Sequence, residues 1–299
     1  MSAYPEPIRR DYAMADGTMS AIHFGRVQNP LKVVFLHANG FNGYVYKDIF
    51  EALGVHALAL DLRGHGFTHL PKNIDRLTNF YIFRDDVVEF FNRHIDRPVV
   101  LGGHSLGAVS GILAAPKIQD KLNGYVGFDP VSLPGSARLL LSVPGGRSYA
   151  KKHFALARNA GRRKSAFESH DEAFARYKNR GAFQGVPDQI LRDYLTGGLA
   201  LGNDGAYHLC CDPSWEQAVF VAQNHNLYKA VHALPDNSHI IYAGKFNAVS
   251  TARTRGVVQK NQPNMTVSFD KDLEHLFPLQ EPNLAAQILQ GTLAQASYK

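Results

Sequence analysis

Cysteine is nearly absent from this sequence of 299 residues, which contains only the neighbouring pair Cys210 and Cys211. Adjacent cysteines cannot join distant parts of a chain, and two thiols by themselves do not supply the four ligands of a structural zinc site. We therefore expect no disulfide framework and no metal. Because disulfides persist mainly in oxidising compartments, their absence favours a reducing one.

Long apolar runs are also missing. No stretch approaches the roughly 18 consecutive apolar residues that a membrane-spanning helix requires. Residues 1–16 carry charges where a secretory signal would carry an apolar core. These absences predict no membrane span and, by default, a cytoplasmic protein.

Charge is moderate and mixed, with 32 Lys and Arg residues against 26 Asp and Glu residues and a formal net charge of +6. With 45% hydrophobic and 19% charged residues, the composition is that of an ordinary globular enzyme. Most basic residues are scattered and no nucleic-acid-binding motif occurs, so no nucleic-acid partner is expected. Nothing in the sequence indicates an oligomeric state.

One segment departs from this balance, because residues 131–167 contain no acidic residue. Eight basic residues accumulate there: Arg138, Arg147, Lys151, Lys152, Arg158, Arg162, Arg163 and Lys164. Either they attract an anionic substrate or a charged partner surface, or they form the solvated face of helices whose apolar residues point inward. Ala150, Phe154 and Ala157 would be such inward residues.

Apolar runs of strand length alternate with segments of helical period in the first part of the chain. The predicted buried strands are residues 31–37, 55–62, 98–103 and 125–129, and the predicted helices are residues 44–53, 80–95 and 106–115. This alternation argues for a parallel sheet with right-handed crossovers. A hairpin over residues 5–26, turning at Asp16 and Gly17, precedes these strands.

The alternation stops after Pro130. The sequence then becomes helical in pattern, charged and rich in aromatic residues, until two more strands (239–244 and 265–269) and two more helices (251–258 and 284–293) follow. We therefore predict an α/β core made of residues 1–130 and 227–299. Residues 131–226 would form a helical cap over the ends of its strands.

The sharpest local motif is Gly103-His104-Ser105-Leu106-Gly107, between a buried strand and a helix of small residues. A serine in this context sits on a strained turn that projects its hydroxyl from the sheet edge, and the glycines avoid clashes with the crossing backbone. The helix N-terminus brings partial positive charge to a developing oxyanion. Ser105 is therefore the candidate nucleophile, and the alternative is a glycine-rich turn with an idle serine.

A serine hydroxyl needs a neighbouring base to become a nucleophile. Of the 14 histidines, His275 is the best candidate, because it follows the last predicted strand and precedes the last helix. The alternative is a loop histidine that only packs on Phe277.

Four segments together resemble the α/β-hydrolase superfamily, and their order and spacing span about two thirds of the chain. They are residues 37–40 (His-Ala-Asn-Gly), 61–66 (Asp-Leu-Arg-Gly-His-Gly), 103–107 and 275–278 (His-Leu-Phe-Pro). The resemblance implies an α/β fold, a mostly parallel sheet flanked by helices with an inserted helical cap. It also implies an acyl-transfer mechanism that uses no cofactor.

The resemblance further implies an oxyanion hole built from two backbone N–H groups, those of Leu106 and Asn39. His37 and His104 are then expected to shape their turns and not to take part in the chemistry. Asp61 and Arg63 are expected to brace the glycine-rich turn that follows them.

The acid of the triad is where the sequence departs from the family pattern. The family usually places an aspartate shortly after the strand that follows the cap, and Asn247 stands there. Some members place the acid at the end of the strand before the cap, which is the position of Asp129. We favour Asp129 because a carboxylate offsets the charge of the histidine and an amide does not. Asn247 remains the alternative, with Asp270 and Asp272 behind it.

The predicted function is that of a serine hydrolase acting on a small-molecule acyl substrate, a carboxylic ester, through an acyl-enzyme on Ser105. The alternatives are hydrolysis of a carbon–carbon bond, an amide or a lactone by the same residues. A protein of another class, which binds a ligand on a hydrolase fold without turnover, is suggested by Asn247.

Overall fold

The computed structural model describes residues 4–131, 133, 135–245 and 251–296. The strands of these residues are β1 (Ile8–Met14), β2 (Gly17–Phe24), β3 (Val33–Leu36), β4 (Ala57–Leu60), β5 (Val99–His104), β6 (Leu122–Phe128), β7 (Ala166–Phe167), β8 (Leu199–Leu201), β9 (Tyr207–Leu209), β10 (His239–Lys245) and β11 (Thr266–Glu274).

The α-helices are α1 (Lys47–Leu53), α2 (Tyr81–His94), α3 (Leu106–Ala114), α4 (Gly135–Ser142), α5 (Gly146–His153), α6 (Ala155–Ala160), α7 (His170–Tyr177), α8 (Asp188–Gly198), α9 (Pro213–Phe220), α10 (Tyr228–Val231), α11 (Ala252–Asn261), α12 (Phe277–Gln280) and α13 (Pro282–Gln295). Four short 3₁₀ segments, at Gly43–Tyr46, Ala115–Lys117, Gln119–Lys121 and Gly181–Phe183, complete the helical elements of the described residues.

The main sheet has eight strands in the order β1-β2-β4-β3-β5-β6-β10-β11. Strand β2 is antiparallel to both β1 and β4, and the six strands from β4 to β11 in this order are parallel to one another. The prediction of a mostly parallel α/β sheet is therefore confirmed. Because parallel strands end on the same side, the loops after β3, β5, β6, β10 and β11 all meet at one edge of the sheet.

The central strands are buried on both faces, which explains their near-continuous apolar sequence. In β3, Val34 and Leu36 pack with α2 and α3 on one side of the sheet. Val33 and Phe35 belong to the core on the other side, with α1 and α13. The alternation follows from the two-residue period of a strand.

Residues 131–226 contain α4 to α9 and a small antiparallel sheet in the order β7-β9-β8. The helices follow the predicted pattern, but the sequence analysis did not predict the small sheet. Its strands are only two or three residues long. A strand that short shows no recognisable period in the sequence.

These residues form hydrogen bonds with the loops that follow β3 and β4. The Asn42 side chain donates to the Tyr194 carbonyl at 2.9 Å, and the indole of Trp215 donates to the Arg63 carbonyl at 3.1 Å. These contacts lie at the carboxyl edge of the sheet and support the proposal that residues 131–226 form a cap. Within the described part of the chain, no helix is long and apolar enough to cross a membrane.

Candidate active site

Ser105 occupies the turn between β5 and α3 in a strained conformation, with φ 53° and ψ −112°. Glycine is required on both sides of it. A Cβ at Gly107 would lie 2.1 Å from the Leu36 carbonyl oxygen, and a Cβ at Gly103 would lie 2.7 Å from the Ala108 nitrogen. The local sequence therefore folds into the predicted strand–turn–helix elbow.

The structure brings Ser105, His275 and Asp129 together from three different loops. The His275 Nε2 atom lies 3.0 Å from the Ser105 hydroxyl oxygen, and its Nδ1 atom lies 2.5 Å from the Asp129 Oδ2 atom. These residues are separated by about half the chain, 170 positions for Ser105 and His275 and 146 for Asp129 and His275.

Asp129 is fully buried at the end of β6, with a positive φ of 42°. Its Oδ1 atom accepts a hydrogen bond from the Ala243 N–H at 3.2 Å, and its own N–H donates to the Ile241 carbonyl at 2.8 Å. Neighbouring strand β10 therefore holds the carboxylate in place. A left-handed backbone at a residue other than glycine costs free energy, and it persists here because these contacts determine it.

This geometry has a clear chemical capacity. A carboxylate at Nδ1 selects the imidazole tautomer whose free Nε2 accepts the serine proton, and it stabilises the imidazolium that results. Because Asp129 is removed from water, its charge acts strongly on the ring.

The N–H groups that flank the predicted oxyanion donors are engaged in the structure. The Ala38 N–H donates to the Tyr46 hydroxyl at 3.1 Å, the Gly40 N–H donates to the His65 Nε2 atom at 3.0 Å, and the Gly107 N–H donates to the His37 carbonyl at 3.1 Å. These bonds fix both turns that carry the intervening N–H groups. They support Asn39 and Leu106 as the donors to an oxyanion.

The Asn39 side chain has a structural role. Its amide donates to the Glu216 carbonyl at 3.1 Å, which attaches the turn after β3 to α9. The Glu216 carboxylate makes a buried ion pair with Arg163 at 2.6 Å. A Cβ at Gly40 would lie 2.5 Å from Glu216, so the turn and the carboxylate pack directly on each other.

His104 forms a chain of hydrogen bonds that the sequence analysis missed. Its Nε2 atom lies 2.8 Å from the His275 carbonyl oxygen and its Nδ1 atom lies 2.8 Å from the Tyr46 hydroxyl. A carbonyl only accepts, so Nε2 must donate and Nδ1 must accept from Tyr46. Burial and the nearby His275 ring hold the pKa of His104 well below its usual range, which keeps the ring neutral.

Replacing Tyr46 with phenylalanine tests the role of these hydrogen bonds. The change leaves the Ala38 N–H and the His104 Nδ1 atom without a partner, which should lower the free energy of unfolding by about 1 to 3 kcal/mol. The loop that carries His275 is then held less firmly. We expect kcat to fall roughly ten- to a hundred-fold while KM changes little. Steady-state kinetics and chemical denaturation measure the two effects.

Tyr242→Phe is the matched control, because among the described residues the Tyr242 hydroxyl is buried and has no hydrogen-bond partner. It should change neither quantity appreciably. Equal losses of kcat in both variants would show that the hydrogen bond from Tyr46 to His104 does not position the His275 loop.

Asp61 and Arg63, which the sequence predicts to brace the glycine-rich turn, have structural roles. Asp61 accepts from the Gly43 N–H at 2.8 Å and from the Phe67 N–H at 3.1 Å, and Arg63 pairs with Asp86 at 2.6 Å, so both residues brace the turns around them. The pKa of Asp61 is raised by burial against the opposing effect of Arg9.

Of the remaining candidates for the acid, Asp270 and Asp272 make no hydrogen bond to His275 in the described structure. Asp270 and Asp272 are exposed on β11, where the Asp270 carboxylate accepts from the Asp272 N–H at 2.8 Å. Asn247 lies outside the described residues. No group of three or more His, Cys, Asp or Glu side chains suited to a metal occurs in the part of the chain that the structure describes.

An eight-stranded, mostly parallel sheet that carries an elbow serine, a histidine and a carboxylate at its carboxyl edge defines the class of α/β-hydrolases. Residues 33–244 match the sequence model of the alpha/beta hydrolase family. The chain therefore belongs to that family, as the resemblance of its four motifs implied.

Individual relatives are distant. Protein ABHD8 of Mus musculus is 28% identical over 123 residues, which cover 39% of this chain and 28% of that protein. The match thus spans less than a third of the length of this relative. The Homo sapiens protein of the same name matches to the same extent.

Solved structures resemble the chain over nearly its whole length. An E-2-(acetamidomethylene)succinate hydrolase has a TM-score of 0.77 at 18% identity, covering 97% of this chain and 100% of the other. An esterase of M. tuberculosis has a TM-score of 0.69 at 18% identity, covering 97% and 93%. At such identities the likeness shows the fold, and it confirms the predicted fold class.

Proposed function

We propose that this protein is a serine hydrolase that cleaves a carboxylic ester or a related small acyl compound. Ser105 would be the nucleophile, His275 the general base and Asp129 the acid of the triad. The observation that carries the proposal is the position of the His275 ring, within hydrogen-bond distance of the Ser105 hydroxyl on one side and the Asp129 carboxylate on the other.

In the first half of the reaction, the Ser105 oxygen attacks the carbonyl carbon while His275 Nε2 takes its proton. The carbonyl oxygen becomes an oxyanion, which the N–H groups of Leu106 and Asn39 stabilise. His275 then gives the proton to the leaving alcohol as the carbon–oxygen bond breaks. The product of this half is an acyl-enzyme on Ser105.

In the second half, His275 takes a proton from water, and the hydroxide attacks the acyl carbon. The tetrahedral intermediate collapses, the proton returns to Ser105, and the carboxylic acid leaves. The Asp129 carboxylate offsets the positive charge of His275 in both halves. The residues that act are all in the chain, so the scheme uses no cofactor.

The Asp129 carboxylate beside His275 counts against the alternative function, a protein that binds a ligand without turnover. That alternative was suggested by the amide at position 247, where the family usually has its acid. Asp129 offers a carboxylate from the neighbouring strand, so the chemistry does not depend on residue 247.

Labelling with a fluorophosphonate probe tests the proposal. We expect one covalent adduct on the peptide that contains Ser105, because only an activated serine attacks the phosphorus. Mass spectrometry locates the adduct, and a series of short activated esters measures turnover. Ser110→Ala is the control, since the buried Ser110 hydroxyl on α3 donates to the Leu106 carbonyl at 2.8 Å and should not be needed for labelling. A folded protein that stays unlabelled would contradict the proposal.

A further inference from the structure

The three helices α4, α5 and α6 form a thin outer layer of the proposed cap. Each helix turns a small or apolar side chain toward one buried cluster, which contains Leu141, Ala150, Ala157 and Val221. Helix α5 contacts both α4 and α6, so the side chains of the three helices that point away from this cluster lie on adjoining surfaces. The predicted inward positions of Ala150 and Ala157 agree with this arrangement.

The outer side of these helices exposes large apolar residues. Leu139 is 65% exposed, Tyr149 is 53% exposed and Leu156 is 50% exposed, one on each helix. With Val143, they make up four of the seven exposed large hydrophobic residues in the described part of the chain. Such a concentration within one short segment marks an interaction surface more often than a chance exposure.

The same segment carries unbalanced positive charge. Of the eight basic residues between positions 131 and 167, Arg163 pairs with Glu216 and Lys164 pairs with Glu172. The other six make no ion pair with a carboxylate among the described residues. Two of them are exposed, Lys152 on α5 and Arg162 two residues after the end of α6.

The charged and apolar side chains are interleaved on α5. Tyr149 lies three residues before Lys152 and four before His153, which places them on one face of the helix. The rings of Tyr149 and His153 stack with centroids 4.1 Å apart. At a membrane surface an exposed tyrosine ring sits at the level of the headgroups, where a neighbouring lysine meets their negative charge.

We propose that the outer cap face, made of Leu139, Tyr149, Lys152, Leu156 and Arg162, docks on the surface of an anionic lipid bilayer. The negative headgroups of such a bilayer attract the basic residues, and its acyl boundary accepts the leucine and tyrosine side chains. A second copy of this chain is a poorer partner, because two-fold pairing would bring two positive faces together. A nucleic acid would attract the charges but would leave the leucines without an apolar environment.

This docking goes beyond the proposed hydrolase chemistry and does not depend on it. The test uses the full chain with vesicles of phosphatidylcholine alone and with vesicles of equimolar phosphatidylcholine and phosphatidylserine. We expect co-sedimentation with the anionic vesicles only, strong at about 0.1 M salt and weak at about 1 M, where the Debye length falls from about 10 Å to about 3 Å. Ser105→Ala should bind in the same way, so a failure of the catalytic proposal leaves this result unaffected.

Matched variants locate the surface. Lys152→Gln combined with Arg162→Gln should weaken binding about twenty-five-fold, since each basic residue near an anionic surface contributes about a fivefold factor. Arg97→Gln combined with Lys260→Gln removes two exposed charges elsewhere and should change binding far less. Leu139→Ser should weaken binding, whereas Leu201→Ser, at a residue 64% exposed in β8, should not.

Several outcomes would overturn the proposal. They are equal binding to both kinds of vesicle, equal losses in the variants and their controls, or preferential binding of an oligonucleotide by the same residues. Self-association through this face, detected by sedimentation of the chain alone and abolished by Leu139→Ser, would assign the face to a second copy instead.

Discussion

Replacing Ser105 with alanine is expected to lower kcat for short activated esters at least a thousandfold, and up to about a million-fold. In the proposed mechanism the hydroxyl oxygen forms the covalent bond to the substrate, so no other group could substitute for it. The residual rate would come from binding and from the N–H groups of the oxyanion hole. Turnover at saturating substrate measures the loss.

The same variant should fold normally. Alanine occupies the same backbone conformation as the serine, and only one hydrogen bond, to His275 Nε2, disappears. We therefore expect the free energy of unfolding to change by less than about 1 kcal/mol. Ser110→Ala provides the comparison for loss of a buried hydroxyl on the adjoining helix. Near-normal turnover in correctly folded Ser105→Ala protein would contradict the proposal of a serine hydrolase.

Replacing Asp129 with asparagine is expected to lower kcat by about ten thousand-fold. The amide would present N–H groups to His275 Nδ1, so the ring would carry its proton on Nε2 and point it at the serine. That tautomer cannot accept the serine proton. The imidazolium formed during acyl transfer would also lose the buried negative charge that lies 2.5 Å from Nδ1.

Two further variants separate the candidates for the acid. Asp270→Asn changes an exposed carboxylate on β11 and should leave kcat almost unchanged. Asn247→Ala removes the side chain at the family's usual acid position and should cost far less than Asp129→Asn. If Asn247→Ala instead cost more, the carboxylate of Asp129 would have to be reassigned to a structural role at the end of β6.

Parts of the site that depend on neighbouring residues could be predicted from the sequence. The turn at Ser105 requires glycines two residues away on each side, a strand before it and a helix after it, and all of these are visible in one short segment. His275 was recognisable in a similar way, from its place between the last strand and the last helix. The apolar runs of β3 to β6 predicted a parallel sheet, because strands buried on both faces need such sequences.

The choice of the acid could not be made by sequence alone. The ends of β6 and β10 lie at the same edge of the sheet, so Asp129 and Asn247 were both within reach of the histidine in principle. We preferred Asp129 for its charge. Its distance to His275 depends on β6 lying beside β10, an order that no local pattern in the sequence encodes.

By itself the sequence determined the elbow, the periods of the buried strands and the mainly helical character of residues 131–226, because each of these depends on residues a few positions apart. The tertiary structure decided which groups meet. The His104 ring contacts the His275 carbonyl across 171 positions, and the Asn39 amide contacts the Glu216 carbonyl across 177. Such pairs are set by the order of strands in the sheet and by the packing of residues 131–226 against the loops at its carboxyl edge, and both are consequences of packing the whole chain.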